Sequence, residues 1–201
     1  MTLETGSRVP SELVEAEILD ADGGAHRLGS VLGDVATLLV FLRHFGCTGC
    51  AQQLDVLVPH LASLHELGLE TVLIGSGTPA HLADFCERQR LEGYPLRAYT
   101  DPTTTSHRAA GLSRSPWRVV GPAALAREVM VRTMGYTSGR KEGDVMQSGG
   151  VVILCSRTVA FFRQARVAAE PVPAAAIVEA AVATISAHLV ETARVSSHPI
   201  I

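Results

Sequence analysis

Residues 35–59, VATLLVFLRHFGCTGCAQQLDVLVP, leave this chain few folds to choose from. Val35, Leu38, Leu39, Val40, Phe41 and Leu42 form a short, nearly continuous apolar run rich in branched and aromatic side chains, the pattern of a strand buried on both faces. The run is too short to cross a bilayer. Arg43-His44-Phe45-Gly46 follows, then Cys47-Thr48-Gly49-Cys50, then Leu54, Leu57, Val58, Leu61 and Leu64 at helical spacing. A C-x-x-C therefore sits where a central strand hands over to a helix.

That position has chemical consequences. At the start of a helix, unpaired backbone N–H groups and the helix dipole favour negative charge. An ordinary thiol is only slightly ionised at neutral pH, and a helix N-terminus or C-x-x-C setting lowers its pKa. Cys47, nearest that end, is the expected nucleophile. Cys50 lies one turn on, on the same face, at a separation of roughly 5–6 Å between Cβ atoms that a disulfide can bridge with modest adjustment. It is the expected resolving thiol. Arg43 supplies positive charge beside the thiolate, and His44 offers a proton donor or acceptor.

The same residues carry a family resemblance. FLRHFGCTGCAQQ at 41–53 resembles the FLRHFGCxxCxxQ segment of the peroxiredoxin-like branch of the AhpC/TSA superfamily, and GDVMQSGGVVIL at 143–154 resembles the Q-x-GG segment of that branch. The resemblance implies a thioredoxin-like α/β fold, a three-layer sandwich whose mixed central sheet is flanked by helices. It also implies that Cys47 is the redox-active cysteine. Two departures stand out. The P-x-x-x-T/S-x-x-C signature of typical peroxiredoxins is replaced at its first two fixed places by Val40 and His44, and the segment matching the thioredoxin cis-proline loop reads Gln147-Ser148-Gly149-Gly150. On the resemblance, Arg163 is similar in place to the arginine that holds a peroxide, with a solvated-face residue as the other reading of it. The substrate is expected against His44, Thr48, Gly149 and Arg163; glycine at 149 lets backbone approach a ligand closely.

Along the chain, residues 1–12 read as a loose segment, 13–192 as one thioredoxin-like domain and 193–201 as a disordered tail. Leu13–Leu19 alternates like a strand and Asp22-Gly23-Gly24 supplies a turn. The first main helix runs from Cys47 to Leu67, with Pro59 expected to kink or break it. Leu69–Ile74 is a second buried strand, making a βαβ unit. Thr78 caps a helix begun by Pro79 and running to about Leu91. Leu96–Thr100 is a strand, Thr103–Ala110 a short helix, and Pro122–Met134 a longer one. Residues 112–146, with Trp117 among basic residues, are the expected border of the cysteine site. Val151–Leu154 and Thr158–Phe162 pair through a turn at Ser156-Arg157. The last helix follows Pro171 or Pro173 and presents Ile177, Val178, Ala181, Val182, Ile185 and Leu189 to the sheet.

Composition narrows the partners. With 201 residues, 47% hydrophobic and 18% charged, the chain can fill one core, and it is neither disordered nor fibrous. A net charge of −3 gives no footprint for nucleic acid or an anionic membrane. No secretory signal or run of transmembrane length is legible, so a cytoplasmic protein is expected. In that reducing setting the cysteines are catalytic or metal-binding rather than structural disulfides, with Cys86 and Cys155 as packing residues.

The sequence thus points to a thiol oxidoreductase using Cys47, Cys50 and Arg43. Its partners would be a small peroxide or disulfide substrate and an external thiol reductant, thioredoxin-like or of low molecular weight. No organic cofactor or metal is required, and a homodimer is an open assembly. Three alternatives stand beside this reading: a metabolite-modifying enzyme on the same scaffold, a non-catalytic interaction module, and a zinc site from Cys47, Cys50, His81 and Cys86.

Overall fold

The computed structural model describes residues 3–112, 114, 121–135, 142–167 and 170–196; Trp117 and the stretch 136–141 lie outside them. Strands β1 (Glu17–Leu19), β2 (Ala25–Arg27), β3 (Ala36–Phe41), β4 (Leu69–Gly75), β5 (Leu96–Thr100), β6 (Gly150–Cys155) and β7 (Thr158–Gln164) form one sheet in the order β2-β1-β5-β4-β3-β6-β7. β3 is central and every residue of it is buried. It runs parallel to β4, with Ala36 opposite Leu69 and Phe41 opposite Ile74, and antiparallel to β6, with Phe41 opposite Gly150. Burial on both faces explains why its sequence does not alternate.

Among the described residues six α-helices accompany the sheet: α1 (Ser11–Val14), α2 (Thr48–Glu66), α3 (Pro79–Arg88), α4 (Thr105–Ala109), α5 (Pro122–Thr133) and α6 (Ala174–Ser196). Leu54, Leu57 and Leu61 of α2, Leu82 and Phe85 of α3 and Ile177 and Ala181 of α6 pack with Leu38 and Val40 on one face. Leu13 of α1 and Ala110, just past α4, pack with Leu39, Phe41 and Val152 on the other. The result is the expected three-layer α/β sandwich of thioredoxin-like type. Because β3, β4 and β5 are parallel, their C-terminal ends open onto the same end of the sheet.

Local chemistry explains most boundaries. Thr78 accepts from the backbone N–H of His81 at 3.2 Å while His81 Nδ1 accepts from the Thr78 N–H at 3.3 Å, a reciprocal cap that starts α3. Ser156 and Arg157 both take positive φ, 46° and 68°, which gives the β6–β7 turn the twist of its flanking strands.

Several expectations need correction. Residues 13–19 are not one strand: Leu13 lies in α1 and the strand begins at Glu17. Residues 3–12 are not loose. Gly6 N–H donates to Val159 O at 2.7 Å, Val9 N–H to Arg157 O at 2.9 Å, and Leu3 and Val9 are buried. The edge strand β7 carries backbone groups that need partners, and this segment supplies them. Pro59 does not break α2, which continues to Glu66 because Leu57 and Leu61 on either side of it are fully buried against the sheet. The last helix extends to Ser196, beyond the expected end at Thr192. Its buried stripe is only Ile177, Ala181 and Ile185, while Val182 and Leu189 are exposed. By length and composition Ala174–Arg194 is also long and apolar enough to cross a membrane, where no run of that length was expected.

Candidate active site

The end of β3 turns into α2 at Leu42–Cys47, and backbone bonds fix the turn. Cys47 N–H donates to His44 O at 3.2 Å, and Cys50 and Ala51 N–H donate to Cys47 O at 3.1 and 3.2 Å, opening the helix. Phe45 is wedged where only glycine leaves room: a Cβ on Gly75 would lie 2.4 Å from its ring, and one on Gly77 2.9 Å. Phe85 closes the other side, with ring centroids 5.2 Å apart.

Arg43 is the centre of the arrangement. It is buried, 8% exposed, yet its side chain is fully engaged. Nη1 donates to Cys47 Sγ at 3.3 Å, Nε to Gln147 O at 3.1 Å and Nη2 to Val145 O at 2.6 Å. Its backbone N–H donates to Cys50 Sγ at 3.2 Å. One residue thus touches both sulfurs. The carbonyls position the guanidinium without cancelling its charge, so Cys47 gains a cation held in place.

The two thiols diverge as a result. Cys47 is pulled down to about 6, first by the hydrogen bond from Cys50 and then, against the cost of burial, by the Arg43 charge and the helix N–H groups of Gly49 and Cys50. Cys50 is pushed well above an ordinary thiol by the same shared hydrogen bond, by burial and by the neighbouring Cys47 charge. Both are free thiols. Both shifts favour ionisation of Cys47 before Cys50.

Access is tighter than expected. Cys47 is 6% exposed and Cys50 5%, so neither lies open to solvent. A recess of about 30 Å³ reaches them, walled by Phe41, Gly149, Val167, Glu170 and Val172 together with Arg43. That is space for roughly one or two water molecules.

The other expected site residues divide. Gly149 walls the recess, and a Cβ there would lie 2.7 Å from Phe41 O, so the glycine permits a close approach of β6's leading end to β3. Thr48 is buried and donates through Oγ1 to Glu128 Oε2 on α5 at 2.9 Å, so its hydroxyl is occupied by the protein. His44 is 7% exposed with Nδ1 unpartnered; burial and the Arg43 charge hold its pKa down to about 4, so the ring is neutral. It does not wall the recess. Arg163 stands in β7 opposite Val151, half-buried, and neither walls the recess nor bonds to a sulfur, so the structure does not gather it into this site. Nor is the zinc set gathered: His81 caps α3, and no group of three such ligands occurs among the described residues. Cys86 and Cys155 are partly buried and pack against the core, as expected.

Sequence reasoning looked to residues 112–146 to border the site. Among the described residues, that segment contributes α5 through Glu128 and the Val145 carbonyl that holds Arg43, but the recess is walled by Ala165, Val167, Glu170 and Val172 instead. Those four residues carry no chemical signature, and only the fold brings them to the recess.

Comparison with known proteins agrees with this fold. The family described as AhpC/TSA antioxidant enzyme matches residues 53–165. The chain belongs to that family. The match begins at Gln53, after both cysteines, so their roles rest on position and chemistry. Among curated relatives, peroxiredoxin-like 2C of Mus musculus is 29% identical over 161 residues, covering 75% of this chain and 70% of that one. Prostamide/prostaglandin F synthase of Xenopus tropicalis is 30% identical over 131 residues, covering 63% of each. Among solved structures, peroxidoxin BcpB of Mycobacterium tuberculosis superposes with a TM-score of 0.62 at 20% identity, covering 92% of this chain and 97% of that one. A peroxiredoxin-like protein of Aquifex aeolicus gives 0.63 at 15% identity, covering 92% and 89%. These likenesses are of fold. The chain is a peroxiredoxin-like member of the thioredoxin-like fold, of thiol oxidoreductase type.

Proposed function

We propose that this protein is a cytoplasmic thiol peroxidase working through a dithiol–disulfide cycle at Cys47 and Cys50. The observation that carries the reading is Arg43, whose guanidinium meets Cys47 at 3.3 Å and whose backbone N–H meets Cys50 at 3.2 Å. In the first step the Cys47 thiolate attacks one oxygen of a hydroperoxide. An S–O bond forms, the O–O bond breaks, and the departing oxygen takes a proton and leaves as alcohol or water. In the second, Cys50 attacks the Cys47 sulfenic acid, giving the 47–50 disulfide and releasing water. An external thiol reductant returns two electrons and two protons. No organic cofactor enters this cycle.

The size of the recess favours a peroxide over a bulky disulfide as the oxidant. A second reading, a metabolite-modifying enzyme, draws support from the Xenopus tropicalis relative named prostamide/prostaglandin F synthase. The test is peroxide consumption and thiol loss, followed by mass spectrometry, for the parent, Cys47→Ser and Cys50→Ser. Cys47→Ser should abolish consumption, while Cys50→Ser should permit one turnover and accumulate sulfenic acid. Equal consumption by Cys47→Ser and the parent would sink the assignment.

A further inference from the structure

We propose that His107, on α4, is a positioning residue for the dithiol: it holds the backbone at Leu42 so that the Arg43 N–H and guanidinium meet the two sulfurs. The proposal rests on the reading of Cys47 as the working thiolate, and extends it to a residue on the opposite face of the sheet, remote in sequence from both cysteines.

His107 is completely buried, and its Nε2 lies 3.0 Å from Leu42 O. A carbonyl can only accept, so Nε2 carries the proton and donates. The ring meets Phe41 edge-on, centroids 5.1 Å apart and planes at 68°, which fixes its orientation against the last residue of β3. On the other side stands a polar anchor. Ser106 N–H and Oγ both donate to Asp101 Oδ2 at 2.7 Å, and Thr103 N–H and Oγ1 donate to Asp101 Oδ1 at 3.0 and 2.7 Å. Asp101 directly follows β5 and is itself fully buried, so α4 is tied to the end of the sheet.

The consequence is felt at the next residue. Leu42 N–H donates to Ile74 O at 2.8 Å, continuing the β3–β4 pairing one step past the strand. With its carbonyl held by His107, both polar groups of Leu42 are fixed. The Arg43 carbonyl then accepts from Ser76 Oγ at 2.6 Å, and Ser76 Oγ accepts from Asp144 N–H at 2.9 Å. The peptide groups on either side of Arg43 are thus pinned from β4, from α4 and from the segment before β6, and Arg43 is left one geometry in which it reaches both sulfurs. A bidentate or multiply bonded cation acts on a neighbouring anion only as far as its support is rigid. Packing alone does not require a donor at 107. Aliphatic or aromatic side chains would fill the space, whereas His107 spends its one N–H on the carbonyl adjoining Arg43.

The experiment compares the parent with His107→Gln, which keeps an N–H donor, and His107→Leu, which keeps bulk without one. Thiolate formation is followed by absorbance near 240 nm as pH is varied, with Cys47→Ser identifying the signal. His107→Leu should raise the Cys47 pKa by about one unit, the size expected when a nearby opposite charge loses its place. His107→Gln should return it most of the way. A folded His107→Leu protein with the parent's Cys47 titration overturns the proposal, and so does a glutamine variant that titrates like the leucine variant. Should the leucine variant fail to fold, the parent decides: nitrogen resonances of His107 should show the Nε2–H form and should move with the Cys47 titration. An Nδ1–H form, or resonances that stay fixed through that titration, overturns it. If Cys47→Ser leaves the absorbance transition intact, the thiolate belongs elsewhere and it is the reading of Cys47 that fails.

Discussion

The two ends of the central sheet are built on opposite principles. At the end where β3, β4 and β5 finish, charged or ionisable groups are buried side by side: Arg43, His44, Asp101, His107 and Glu142. At the other end, β6 and β7 join through a tight turn at Ser156-Arg157, and the inward residues are aliphatic, Ala36, Leu154 and Val159 among them. Burying polar groups costs stability unless each finds partners, and the first end nearly supplies them. Among the described residues, His44 Nδ1, Gln147 Oε1 and Ser148 Oγ are buried without a partner at this end, and Thr71 Oγ1 and Arg97 Nε lie nearer the starts of β4 and β5. The lesson is that the apolar end supplies stability and the polar end uses part of it to hold a cation and two sulfurs in one arrangement.

This contrast can be broken by exchanging the roles of the two ends. Leu154→Ala at the apolar end should lower unfolding free energy by about 2–5 kcal/mol in urea titration, as for other buried leucines, while leaving the Cys47 titration at its parent value. Arg43→Met at the polar end should do more to chemistry than to packing. The Cys47 pKa should rise by roughly 1–3 units, read by the pH dependence of alkylation with iodoacetamide. If alkylation were unchanged, the cation would not be what ionises the thiol.

His44 sharpens the comparison through pH. Its pKa is about 4 in the folded protein, below the value of an unfolded histidine, so the unfolded chain takes up a proton first as pH falls. The stability it contributes is complete above about pH 6.5 and is lost progressively as pH falls towards 4. His44→Gln should therefore flatten part of the acid slope of stability between those values, with His107, also lowered by burial, retaining its own share. Cys47 acts in a higher window. Its lowered folded pKa adds stability as pH rises from about 6 towards the unfolded thiol value. The smallest effect is expected at the apolar turn. Arg157→Gly relieves a positive φ of 68° and should stabilise by about 0.5 kcal/mol, measured as a slightly raised Tm, with no change at the thiols.

Much of the polar end was legible beforehand, because its cysteines and Arg43 lie within a single strand-to-helix junction. A residue within five places of a helix start has little freedom in where it can point, so the sequence brings Cys47, Cys50 and Arg43 together, and the structure has them in contact. Whether Arg163 reaches the cysteines depended on where β7 aligns against β6, which left both readings of it open. A register shift between Ile153 and Leu154 intervenes there, and strand register is invisible in periodicity. The first residues were misread for a related reason: nothing in MTLETGSRV announces the edge strand it covers. Pro59 misled in the opposite direction, since a local propensity of about 3 kcal/mol was overridden by the apolar face of α2.

By itself, then, the sequence determined the layers of the fold, the βαβ core and the meeting of Cys47, Cys50 and Arg43, all consequences of local periodicity and of short-range geometry at one helix start. Only the tertiary structure decided which backbone carbonyls hold Arg43, that His107 reaches Leu42 across 65 positions of chain, and that Ala165, Val167, Glu170 and Val172 narrow the way to Cys47. Those contacts join parts of the chain whose spacing carries no periodic signal. They exist because the parallel strands end together, and whatever follows each strand is brought against whatever follows its neighbours.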